Sequence, residues 1–465
     1  MINLFEILDR SHAGEKIKEE KQWDLRVWKK AVELKRDYHI TYDPKYAIVT
    51  DDRMADACFE AAVMLLSEVG VLNVGTQRVV RFDEEEIRKG LGQRKDELIV
   101  GEGRDRLRLE RRSVDACTPV RVMAGHFACT DDVGPKLYQA MAEVQSLDII
   151  EGFNFYGKHA GRQMEGLVHE TLAARYEVSS IRKAIARAGR PGMHILFYPT
   201  SPHPAAMISA LDAANGIRPT DAIEISPLPE LKIENNLLAV AVAVTEYGAF
   251  VNSDCASILG GFGGGPEENA LIGLAQDIQV HLTYRCDYCS LANALPIDVE
   301  GVSLPAALWS RSLNSLAYAR NVKTPVLSYV GSGPEPDNEN RWRELAAQTM
   351  TAVASGSHID VVRPARPYRP NLFSPLEIEF CAEIAHSMVR NKISREKVNE
   401  IIMEGLVPKY KPLYDTPTKN RYPRLKGRAF EELYDMNTLK PIKEHVDNYH
   451  MAKNELASLG IEFQW

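Results

Sequence analysis

GMHILFY at residues 192–198, DAIEIS at 221–226 and AFVNSD at 249–254 are short apolar runs, and each ends in side chains that can do chemistry. Runs of this length, bounded by Gly, Pro, Asp or Thr and nearly continuous in apolar character, suit strands covered on both faces. Working outward, the same unit recurs upstream as TPVRVMAG (118–125) and LDIIEGFN (147–154). Downstream it recurs as SLANALP (290–296), TPVLSYV (324–330) and HIDVVRP (358–364). Segments of helical period lie between and after them, at 165–188, 267–282, 304–319, 341–353 and 375–390. Strand alternating with helix predicts a parallel sheet, and eight such units over about 250 residues predict an α/β fold of the (β/α)8 TIM-barrel type. A doubly wound open sheet is the alternative.

The remaining chain is assigned around that barrel. Residues 1–117 are expected to form an N-terminal helical and hairpin layer, with an amphipathic helix at 51–69 and short strands within 71–82. The barrel takes 118–392. Residues 393–465, which include Pro408, Pro412, Pro417, Pro423 and Pro441, form a C-terminal helical extension that wraps the surface. The net charge is −8 and the pI about 5.9, and the nearest basic stretch, RDRLRLERR at 104–112, is only local. That balance argues against a nucleic-acid partner. No apolar run has membrane-spanning length, and LLAVAVAV at 237–244 reads as a buried helix. The chain start has no signal-peptide pattern, and seven scattered cysteines suit a reducing cytoplasm. A homo-oligomer is expected.

In barrels of this kind the active site lies at the C-terminal ends of the strands. Reading those ends in order yields His126, then Phe153 and Asn154, then Leu196 and Tyr198. Glu224 and Ser226 follow, then Asn252 and Asp254, Asn293, Ser328 and Tyr329, and Arg363. A carboxylate in a buried strand is costly unless something uses it. Glu224 and Asp254 are therefore the acid/base candidates, close enough in the fold to share a proton. The plainer reading is that each caps the next helix or pairs with Arg363. LGGFGGGPEEN at 259–269 lacks the Lys-Ser/Thr of a phosphate loop. Gly260, Gly261, Gly263 and Gly264 read instead as backbone shaped for close approach of a large ligand or partner. Cys286 and Cys289, with His281 upstream, make a single CxxC, read as structural thiols. A metal site from Glu151, Glu165 and His194 is the other metal reading, and metal content is left open.

Five segments in this order, GEGRDRLRLERRSV (101–114), AGRPGM (188–193), ELKI (230–233), LGGFGGGPEE (259–268) and ASGS (354–357), resemble the monomethylamine:corrinoid methyltransferases. The resemblance implies a (β/α)8 barrel and a methyl group passed to cob(I)alamin, a corrinoid carried by a separate cognate protein. It implies that Glu224 matches an active-site glutamate and Asp254 a second one. It also implies that Leu327 or Ser328 stands where the family has a glutamine. Leu196 falls where the methylamine enzymes carry pyrrolysine, and leucine cannot capture an amine.

The expected reaction is therefore O-demethylation of a methoxylated aromatic compound, with cob(I)alamin as acceptor. Leu196, Tyr198, Phe153, Asn154, His126, Asn252 and Tyr329 line the substrate. Glu224 or Asp254 protonates the leaving group, and the glycine loop receives the corrinoid protein. The alternatives are a methylated amine or betaine donor without pyrrolysine, a metal-dependent barrel lyase or hydrolase, and a non-catalytic sensor of a methylated ligand.

Overall fold

The structure, a computed structural model, describes residues 4–114, 117–152, 154–155 and 158–463. Eight parallel strands close into a barrel and follow one another around it in chain order. They are β1 (Val122–Gly125), β2 (Ile149–Glu151), β3 (His194–Phe197), β4 (Ala222–Ile225), β5 (Phe250–Leu259), β6 (Tyr288–Pro296), β7 (Val326–Ser332) and β8 (His358–Pro364). Each predicted run coincides with one of them. β3 and β4 are buried at every residue, which is why their sequences are almost continuously apolar.

β5 and β6 run further than the sequence suggests. Their pairing continues past the barrel wall to Leu259 and Pro296 after a register shift between Asp254 and Ala256. A second shift, between Val330 and Ser332, interrupts the pairing of β7 with β8. Bulges re-aim side chains, and these two flank Asp254 and follow Tyr329.

The N-terminal end of the barrel is plugged by an antiparallel hairpin, Glu97–Val100 with Leu107–Glu110. Sequence patterning misses it because each strand is only four residues long. Leu98, Val100 and Leu109 pack against Met123, Ile149, Leu196, Ala222, Tyr288 and Leu327 to form an apolar floor. The basic stretch at 104–112 belongs to this hairpin and to its exit.

Helix Asp52–Val69 starts on an Asp51 cap that accepts from Arg53 N. It lies across helices Pro266–Thr283 and Pro305–Asn321, with Glu20–Asp37 beside it. Residues 268–283 are consequently all buried. Strands Val71–Asn73 and Arg78–Val80 form the expected hairpin, and Lys232–Ile233 joins it in parallel. At the other end of the chain, helix Lys443–Ser458 packs on Glu339–Ala354 and Pro375–Asn391. Among the described residues no helix is long and apolar enough to cross a membrane.

Candidate active site

The site is assembled where β1, β2, β4, β5, β7 and β8 end, and it begins with a glycine. A Cβ on Gly125 would stand 2.5 Å from Glu151 Cβ and 2.6 Å from Glu151 O, so β1 can approach β2 this closely only without a side chain. The next residue, His126, has φ +53°, in the left-handed region that β-carbon-bearing residues avoid. This turn brings the imidazole over Glu151, with Nδ1 3.0 Å from Oε1. Tyr198 stacks on the imidazole, with centroids 5.2 Å apart and an interplanar angle of 17°. Tyr329 meets it edge-on at 5.7 Å and places its hydroxyl 3.4 Å from Nδ1.

Four carboxyl groups share this end of the barrel. Glu224 lies against Glu151, a carboxylate oxygen of each within 4.8 Å, and accepts from Ser226 Oγ at 3.4 Å. Asp254 accepts from the Tyr329 hydroxyl. Asp360 stands beside Tyr329 in register on β8, and neither of its oxygens has a hydrogen-bond partner. Glu151, Glu224 and Asp360 are completely buried, while Asp254 is half-buried and faces a cavity. Burial pushes Glu151 up to about 8 and Asp254 up to about 7. Burial, reinforced by the neighbouring carboxylates, holds Glu224 and Asp360 well above the carboxylate range. His126 is held down at about 4 by burial and by the charge of Arg363, so its ring is neutral near pH 7. Among the described residues, none of the four carboxyls forms an ion pair with Lys or Arg, and the Glu151 contact with His126 stands in place of one. Arg363 donates to Pro364 O and Ala365 O at 2.9 and 3.0 Å.

The cavity at this mouth has a volume of about 240 Å³. His126, Asp254, Tyr329 and Arg363 supply its polar groups, and Leu295, Val299, Val302 and Val362 its apolar walls. Arg311 and Gln348 reach it from the surrounding helices. They bond to each other, and Arg311 also donates to Tyr329 O at 2.7 Å.

The predicted residues sort into three groups. His126, Asp254, Tyr329 and Arg363 meet in the cavity, with Glu224 directly behind His126 and Glu151. Tyr198 stacks on His126 and borders a second groove, and Asn154 donates to Tyr198 O at 3.3 Å. Leu196 and Asn252 lie deeper: Leu196 is in the apolar floor, and Asn252 donates to Tyr288 O at 3.3 Å. Phe153 lies outside the described residues, as does the side chain of Asn293. Glu224 neither caps the next helix, whose cap residue is Glu234, nor pairs with Arg363.

Sequence reasoning did not single out Asp360, although a carboxylate inside an apolar run is the same signal that marked Glu224. Arg311 and Gln348 left no signal, since both sit within ordinary helices.

The two metal readings resolve differently. His194 lies at the start of β3, its Nδ1 donating to Thr220 O at 2.7 Å and its Nε2 accepting from Tyr288 OH at 3.1 Å. Glu165 is exposed at the start of helix Gly166–Arg187. Neither reaches Glu151 to complete that ligand set. Cys286 and Cys289 are buried, with Cys289 Sγ 3.4 Å from His281 Nε2, and the His281 ring is engaged by Cys286 O and Tyr318 OH. The glycine loop has internal reasons for its composition. A Cβ on Gly263 would come within 2.7 Å of Asn269, Ile258 and Ser257, and one on Gly264 within 2.8 Å of Glu268. Gly260 is the open one, with Ile297 at 3.7 Å as its nearest neighbour.

A closed parallel barrel with a carboxyl cluster at the C-terminal mouth defines a barrel enzyme. The family model for monomethylamine methyltransferase MtmB matches residues 2–461. The chain is 28% identical to monomethylamine methyltransferase MtmB2 of Methanosarcina barkeri (strain Fusaro), covering 99% of this chain and 98% of that one. It is equally identical, over the same shares, to MtmB of Methanosarcina mazei. The crystal structure of Methanosarcina barkeri monomethylamine methyltransferase superimposes with a TM-score of 0.92 at 27% identity, over 99% of this chain and 98% of that one. This chain belongs to the monomethylamine methyltransferase MtmB family, and it is a methyltransferase.

Proposed function

We propose that this protein takes the methyl group of a methoxylated aromatic acid at the barrel mouth and delivers it to a corrinoid carried by a separate protein. The observation that carries the donor is the cavity itself. Its roughly 240 Å³ far exceeds what methylamine fills, Leu295, Val299, Val302 and Val362 form apolar walls beside the Tyr329 ring, and among the described residues Arg363 stands in it without a carboxylate ion pair. A flat ring gains from stacking and area burial against such walls. A carboxylate on that ring would pair with Arg363.

When bound at the mouth, the partner's corrinoid supplies the reduced cobalt nucleophile that accepts the methyl carbon. The cavity is too small for a corrin ring, so the ring must be presented from outside. The rim fits that role. Val168, Leu228 and Ile297 follow the ends of β2, β4 and β6 and are 78%, 37% and 69% exposed, and Gly260 lies beside Ile297. Within the chain, Arg363 orients the donor, and Tyr329 and His126 hold the ring against the wall. Asp254, which lines the cavity and carries a proton near neutrality, gives that proton to the departing oxygen. The leaving phenolate has a conjugate acid of pKa about 10, so protonation eases its departure. Glu224 lies behind this contact and acts through Glu151 and His126.

A second reading, methyl transfer from a methylated amine or betaine without pyrrolysine, is the one the relatives favour over the ether. The relatives are named for monomethylamine, and four carboxyls without a contacting Lys or Arg offer a place for a methylammonium or a betaine even without pyrrolysine. A donor panel with reduced corrinoid protein separates the two: methoxybenzoates against mono-, di- and trimethylamine and glycine betaine. Methyl transfer from a methoxybenzoate is expected. Transfer from an amine or betaine and from no methoxybenzoate overturns the ether reading and leaves the second. No transfer to corrinoid from any donor overturns both.

A further inference from the structure

The mouth of the barrel gathers four carboxyls, none of them in an ion pair with Lys or Arg among the described residues, and two of them are placed with His126 as ligands. One ligand atom each from His126, Glu151 and Glu224 lie within 4.8 Å of one another. The 3.0 Å between His126 Nδ1 and Glu151 Oε1 is close to the edge of about 3.3 Å that two ligands at 2.0–2.1 Å span around a tetrahedral ion. The second carboxylate oxygens of both glutamates, Glu151 Oε2 and Glu224 Oε2, are buried and have no hydrogen-bond partner. Asp360 adds an independent sign. It is not one of the three, yet it is 0% exposed, both its oxygens are unpartnered, and it lies within electrostatic range of Glu224. A buried polar atom without a partner costs about 1–3 kcal/mol, more for a charged group, so several in one place mark a missing ligand.

We propose that His126, Glu151 and Glu224 hold one divalent cation of the zinc type, with its open coordination position toward the cavity. One imidazole and two carboxylates suit a borderline-to-hard divalent ion, and three protein ligands with one open position are the pattern of catalytic zinc. The direction of the open position follows from the fold. His126 lines the cavity while both glutamates lie behind it, so the unfilled side faces Asp254, Tyr329 and a bound donor. Gly125 and the left-handed turn at His126 are what bring the imidazole over the glutamates, so backbone strain is placed where the ion would bind. There the ion neutralises Glu151 and Glu224 and polarises the donor's heteroatom, and it leaves Arg363 free for the donor's own charge. This role rests on the proposed methyl transfer, but the binding does not.

The test needs neither donor nor corrinoid. Metal-stripped full-length protein is titrated with ZnCl2, and then with MnCl2 and anaerobic Fe(II), and retained metal is counted after desalting. One equivalent of at least one ion is expected. Glu151→Gln and Glu224→Gln should each weaken binding by about 100-fold or more, a loss at the top of the range seen when even outer-shell partners are removed. Glu177→Gln, a buried glutamate outside the three-residue ligand set, should bind as the parent does. Should the site variants not fold, anomalous scattering from a crystal of the loaded parent locates the ion. An ion bonded to His126, Glu151 and Glu224 upholds the proposal. No stoichiometric binding, binding that survives both glutamate substitutions, or an ion found elsewhere overturns it. A protein that retains no ion at these residues yet transfers methyl groups would sink this site alone, and a metal-binding protein inactive with every donor would sink the function alone.

Discussion

His126 and Glu151 meet at 3.0 Å across the ends of two neighbouring strands because the residue before the histidine has no side chain. That contact is the joint on which the site turns. It fixes the imidazole that Tyr198 and Tyr329 pack against, and it ties the cavity wall to the carboxyls behind it.

Gly125→Ala should break the joint. The added methyl would sit 2.5 Å from Glu151 Cβ, so one strand end must move. We expect a loss of about 1–3 kcal/mol in urea unfolding, the usual cost of overpacking. Methyl transfer should drop by about 100-fold, as expected for a displacement near 1 Å at the reacting centre. A variant with the parental rate would show that the placement of His126 over Glu151 does not serve the reaction.

Asp254→Asn should keep the fold and slow methyl transfer by about 10²–10⁴, the range for losing a general acid. The amide still accepts from Tyr329 but has no proton of suitable acidity to give. Single-turnover rates with pre-bound donor read this directly. If the rate is unchanged while donor affinity weakens, Asp254 binds the donor rather than protonating its oxygen.

Glu177, which is not one of the four carboxyls of the mouth, sets a pH dependence of its own. It is fully buried on helix Gly166–Arg187, where it accepts from Thr200 N and Thr200 Oγ1, and burial raises it from 4.5 to about 8. The folded state therefore holds this proton more tightly than the unfolded chain. The resulting stabilisation is complete below about pH 4.5, shrinks as the pH rises toward 8, and is gone above it. Glu177→Gln removes that slope. Measured by urea unfolding from pH 5 to 9, the variant should gain on the parent as pH rises, by an amount on the order of a few kcal/mol at about 1.4 kcal/mol per pKa unit. Parallel curves would mean that Glu177 does not titrate in this window.

The barrel was legible because burial on both faces writes itself into the chain as apolar runs. HILF and AIEI could hardly be anything but central strands, and the polar residues at their ends pointed to the mouth. Glu224 and Asp254 stood out because they are acids where hydrocarbon is the rule. The plug hairpin was not legible: eight residues in two short strands carry too little periodicity, and their apolar side is defined only by the barrel end they fill. Asp360 was legible in principle and passed over, since its run is otherwise apolar. Leu196 and Asn252 were placed one level too high, because a strand's sequence does not reveal how far along it the barrel wall rises.

The sequence by itself determined the eight strands, their order, the end of the barrel where the polar groups gather and three of its four carboxyls, Glu151 among them in a different ligand set, since each of these depends on local pattern and on the cost of burying charge. Only the tertiary structure decided that Glu151 faces His126 and Glu224 rather than Glu165 and His194, that Arg363 stays clear of the carboxyls, and that the glycine loop folds on itself. Those relations depend on closure of the barrel, on two bulges and on a missing Cβ. They join residues distant in the chain through contacts that no window of sequence contains.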